Sequence, residues 1–64
     1  MDIGDTVLAP VNGGTPTSCQ VIGIYGDIVV VSGPKEQAIA LEQGRSPLGV
    51  GFNRTVIEEA MMAK

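Results

Sequence analysis

Short apolar runs alternate with glycine- and proline-marked breaks along this chain. The clearest pattern is two β-branched runs, residues 18–25 and 28–33, separated by Gly26-Asp27. Val and Ile hold χ1 stiffly and suit a pleated, half-buried surface, while Gly and Asp tolerate the positive φ of a tight hairpin turn. The pattern predicts a β-hairpin, strands two and three of the fold. Before it, Ile3-Gly4-Asp5-Thr6-Val7-Leu8-Ala9-Pro10 reads as a first strand that Pro10 limits, because proline has no N–H for a ladder. The stretch Val11-Asn12-Gly13-Gly14-Thr15-Pro16-Thr17-Ser18 is dense in residues that fix turns or permit positive φ, and reads as a surface loop.

Beyond the hairpin, Gln37-Ala38-Ile39-Ala40-Leu41-Glu42 carries two messages. Gln37, Ile39 and Leu41 would share one face of a strand, whereas Ala, Leu, Glu and Gln favour helix. So short a segment after the Gly33-Pro34 break cannot support itself as a helix, and a fourth strand is expected. Gln43-Gly44-Arg45-Ser46-Pro47 is a second loop. In Leu48-Gly49-Val50-Gly51-Phe52 the apolar side chains fall on one face with glycines between, a fifth strand whose other face is closely approached. Thr55 with Glu58 three residues on makes a capping box, and Lys64 stands in the last turn, so residues 55–64 are expected to form a short helix. The other reading has Val56-Ile57 as a closing strand and residues 60–64 as a frayed tail.

Five short strands joined by Gly/Pro turns predict a mainly β fold, a small five-stranded barrel or strongly bent sheet with a short C-terminal helix, since closure removes aggregation-prone edges. The opening Gly4-Asp5-Thr6-Val7-Leu8, the central Val21-Ile22-Gly23-Ile24-Tyr25-Gly26-Asp27-Ile28-Val29-Val30-Val31 and the terminal Thr55-Val56-Ile57-Glu58 together resemble the SH3-like barrel class. Peptide-binding members of that class use an aromatic-lined groove for proline-rich ligands. Tyr25 and Phe52 are the only aromatics here, so that function is not carried over.

Sixty-four residues bound the fold to one small domain, expected to bury only about 60% of its unfolded surface. Cores of this size supply roughly 3–5 kcal/mol, and such chains often add disulfides, a metal or a partner subunit. One cysteine and no histidine exclude an intrachain disulfide and leave no zinc set, so oligomerisation remains. The chain is 44% hydrophobic but only 17% charged, which points the surplus apolar surface toward another chain. The run Ile28-Val29-Val30-Val31 is apolar on both strand faces and supports the same expectation. With four scattered bases against seven acids, a net charge of −3 speaks against a nucleic-acid module. No apolar segment approaches the about 18 residues of a membrane span, and the Met-Asp start carries no basic and apolar leader, so a cytoplasmic protein is expected.

Candidate chemistry is sparse. Without histidine the commonest general base is missing, and Cys19, in step with Val21 on a strand, reads as a small buried hydrophobe. Glu58 and Glu59 are adjacent and diverge on helix or strand alike. No Ca²⁺-loop, phosphate-loop or nucleophile-elbow spacing is complete, and no metal, cofactor or catalytic residue is expected. What remains is an anion site: free backbone N–H groups of the loop around Asn12, Gly13, Gly14 and Thr15, with hydroxyls from Thr15, Thr17 and Ser18, could cradle a phosphate, with Arg45, Ser46 and Arg54 converging on it. The leading expectation is a non-enzymatic interaction module, self-associating as a homo-oligomer; a binder of a small anionic or phosphorylated ligand comes second, and a nucleic-acid-binding barrel third.

Overall fold

The computed structural model describes residues 1–62, and Lys64, expected in a last helical turn, lies outside them. The chain runs β1 (Thr6–Asn12), β2 (Thr15–Tyr25), β3 (Ile28–Ser32), α1 (Pro34–Gln43), β4 (Val50–Asn53) and α2 (Arg54–Met62). The strands form one antiparallel sheet in the order β1-β2-β3-β4. Mainly β architecture and a C-terminal helix are as expected, but the sheet is a four-stranded half-barrel, with no fifth strand among the described residues.

The predicted hairpin is present, with Tyr25 paired to Ile28. Gly26 has φ 62°, and among the described residues no non-glycine residue, Asp27 included, has a positive φ. That combination fits a type II′ turn, which needs positive φ only at its first central position. The expected loop at 11–18 is instead a second hairpin: Gly13 (φ 60°) and Gly14 (φ 87°) make both positions of a type I′ turn, between Asn12 and its partner Thr15. Pro10 does not end β1. It sits where the register shifts between Ala9 and Asn12, on a strand at the sheet's edge, and both circumstances tolerate a missing donor.

The expected fourth strand is helix α1. Pro34 occupies its first turn, and Gly44 closes it in the left-handed region (φ 67°). There the Gly44 N–H donates to the Leu41 carbonyl and the Arg45 N–H to the Ala40 carbonyl, the paired bonds of a Schellman motif. Taking Gly33-Pro34 as a break rather than a helix start shortened the segment below helical length. The expected fifth strand is displaced to Val50–Asn53 and becomes β4. Helix α2 starts one residue before the predicted box, because Asn53 Oδ1 accepts both the Thr55 N–H (3.1 Å) and the Thr55 hydroxyl (2.8 Å). Asn53, rather than Thr55, is the cap.

Val7, Ala9, Cys19, Val21, Val29 and Val31 alternate onto the inner face of the sheet and meet Ile57 of α2, which is 0% exposed. Val11, Ile24 and Phe52 pack around this cluster. Helix α2 touches both outer strands, chiefly β1 and also β4, so it spans the mouth of the half-barrel.

Candidate functional site

On the outer face, the surplus apolar surface of β3 is partly covered by the chain itself. The segment after α1 returns over the sheet so closely that a Cβ on Gly49 would overlap Val30 Cγ1 and lie 2.7 Å from Ile22 Cδ1. Glycine is required there by space rather than by φ. The return path is fastened to α1: Arg45 Nη1 donates to Glu36 Oε2 at 2.7 Å, and the same oxygen accepts the Leu48 N–H at 2.8 Å. Those two donors hold the Glu36 carboxyl below its usual pKa, and the carboxylate in turn raises Arg45. Val30 is thereby accounted for. Ile28 and Tyr25 stay exposed on this face, at 42% and 71%, and Leu48 on the return path is 67% exposed; Val50, paired with Val31 on the inner face, is 53% exposed.

The two edges of the sheet differ. Along β1, the Val21 N–H donates to the Asp5 carbonyl, so by alternation the odd residues bond β2 while Thr6, Leu8 and Pro10 direct their backbone outward. That edge is blunted by Pro10 and the register shift, and Met61 of α2 lines a surface depression with Thr6, Val7 and Leu8. Along β4, the Arg54 N–H donates to the Asp27 carbonyl at 2.7 Å, so Phe52 and Val50 face β3. Gly51 and Asn53 therefore direct their N–H and C=O groups away from the sheet. Both residues are exposed, and the Val50 end of the strand shares a groove with Pro34, Lys35, Glu36 and Ile39 of α1.

The residues predicted as an anion site are dispersed. Asn12, Gly13, Gly14 and Thr15 form the β1–β2 turn, whereas Arg54 sits beside Asp27 at the β2–β3 turn. The eleven residues of β2 separate these two turns, about 33 Å at some 3.3 Å per residue. Arg45 is engaged with Glu36 and also donates to Gln43 Oε1 and the Ser46 carbonyl, and none of these hydrogen bonds reaches the glycine turn. Of the set, only Asn12 lines the groove of about 460 Å³ at the open side of the half-barrel, with Val11, Thr17, Lys35, Ile39 and Val50. Cys19 is 3% exposed, its thiol donates toward the Thr17 carbonyl at 3.3 Å, and burial pushes its pKa up. That is the reverse of what a nucleophilic thiolate needs.

Of the exposed apolar positions only Ile28 belongs to the run singled out from sequence; Tyr25, Leu48, Val50 and the open edge do not. The available signal was the absence of any proline or charge between Leu48 and Asn53.

No family model matches this chain, and neither a curated protein nor a solved structure does. No helix among the described residues is long and apolar enough to cross a membrane.

Proposed function

We propose that this chain is a small non-enzymatic protein-interaction or scaffold module of the SH3-like kind, that it self-associates, and that it works in the cytoplasm. The observation that carries the reading is an exposed strand edge at β4, with exposed Val50 on it and exposed Leu48, Ile28 and Tyr25 on the adjoining return path, β3 and β2. Main-chain groups at such an edge supply hydrogen bonds to an added strand, and the flanking apolar side chains supply area that leaves water on contact. A thin core gives the chain a further reason to use a partner. The chemistry left to it supports a binding rather than a catalytic role, since its one thiol is in the core and its best-placed carboxylate is committed to Arg45. Sedimentation equilibrium of the full chain tests the reading. The expected result is a mass above 6.6 kDa that rises with concentration; a monomer at every concentration up to millimolar overturns self-association.

A further inference from the structure

We infer that two copies of the chain join through β4, antiparallel about a two-fold axis, to make one continuous eight-stranded sheet from two four-stranded halves. The inference rests on the self-association reading and names its surface. Gly51 and Asn53 present donors and acceptors outward at alternate positions, which is the pattern a second antiparallel strand requires. A strand in this state is self-complementary, because a two-fold axis beside Gly51 sets its N–H against the partner's carbonyl and the reverse.

The occupant is a second copy's β4 rather than its β1. Pairing β4 with β1 would be head-to-tail and would leave one edge of each copy for a further chain unless a ring closed, and the β1 edge is interrupted by Pro10 and flanked by Met61. Charge agrees. A two-fold contact brings like charges together, and residues 46–53 carry none, while Lys35 and Glu36, which line a groove with Val50, are of opposite sign. Side-chain bulk agrees too: the outward-bonding position is glycine, and on the inner face Val50 of one copy stands directly opposite Phe52 of the other, extending the apolar layer across the axis.

The test uses the full chain, made by chemical synthesis with N-methylglycine in place of Gly51. That change removes the outward donor and blocks the edge without adding a Cβ, which would lie 3.1 Å from Ile28 Cγ2. A second variant, Val50→Lys, places a like charge beside the axis at a half-exposed site. The unmodified chain is expected to sediment at twice 6.6 kDa, and both variants as monomers with unchanged circular dichroism. In the unmodified chain, hydrogen exchange at the Gly51 and Asn53 amides should slow at least about tenfold between micromolar and millimolar protein, as pairing protects them. Association that survives both variants, with exchange at Gly51 independent of concentration, overturns edge pairing while leaving self-association standing. A wild-type monomer at millimolar concentration overturns both. Concentration-independent exchange at Gly51 that slows only when an unrelated extended peptide is added assigns the edge to another protein and overturns the second copy as occupant.

Discussion

Replacing Gly49 by alanine is expected to destabilise the fold, although alanine is ordinarily the better residue for an ordered backbone. Losing glycine's unfolded-state freedom stabilises a compatible site by about 0.4–1 kcal/mol. Here the added methyl has no room: it would overlap Val30 Cγ1, which a β-branched side chain cannot swing aside, and approach Ile22 Cδ1 to 2.7 Å. Overpacking costs about 1–3 kcal/mol, and an overlap this deep with a stiff side chain belongs in the upper half of that range, so the clash outweighs the entropy and the net loss is about 1–2 kcal/mol. In a domain of this size each kcal/mol moves the melting temperature by about 4–8 °C, and a fall of roughly 4–16 °C follows. Thermal melts followed by circular dichroism, with urea melts for the free energy, read it directly. The mechanism is isolated by a double-mutant cycle with Val30→Ala, which removes the obstructing methyl. The remaining neighbour is the flexible end of Ile22, so Gly49→Ala should become nearly neutral in that background, a coupling of about 1 kcal/mol or more. Additive effects within about 0.5 kcal/mol, or a raised melting temperature for the single variant, would refute the steric reasoning.

Ile57→Ala should cost about 2–5 kcal/mol, comparable with the whole stability of a core this small, and leave the chain largely unfolded by circular dichroism at 37 °C. Ser32→Ala should be neutral or stabilising by about 1 kcal/mol in urea melts, because the Ser32 hydroxyl is buried without a hydrogen-bond partner. The Glu36 carboxylate has its pKa lowered in the folded chain, so the stability it supplies is present above the ordinary carboxylate pKa of 4.5 and fades as pH falls through the lower folded value. The melting temperatures of wild type and Glu36→Gln should therefore differ at pH 7 and converge in strong acid; a constant gap would refute the linkage. Cys19 should react with an aromatic disulfide reagent at pH 8 only as fast as the chain opens, and equally fast labelling in native buffer and in urea would contradict its burial.

Local conformation was the legible part of the sequence. Gly26 announced its turn because a positive φ is nearly a glycine property, and α2 was readable from Thr55, Glu58 and the apolar Val56-Ile57, although Asn53 supplies the cap. Legibility fails where one residue type serves opposite ends of an element. Pro34 starts a helix although a Gly-Pro pair equally suits a stop, and Pro10, which suits the end of a strand, lies inside one that turns at Gly13-Gly14. The surface was less legible still. Whether Gly51 faces a neighbour depends on which strand ends the sheet, and that order is set by α1 and its return path rather than by anything within residues 50–53. The anion site failed to assemble for the same reason, since Arg54 and Gly13 are assigned to opposite ends of β2 by pairing register.

The reach of α2 across the sheet also has a kinetic meaning. The two hairpins are local and can form and melt in microseconds, but neither has a core until Ile57 arrives against Val7, Ala9 and Cys19 from the far end of the described chain. The rate-limiting step in folding should therefore be capture of α2, and a nascent chain that has not yet presented residue 57 should be a fluctuating meander with its valines exposed. Folding would be held back until nearly the whole domain is available, then completed by one docking event.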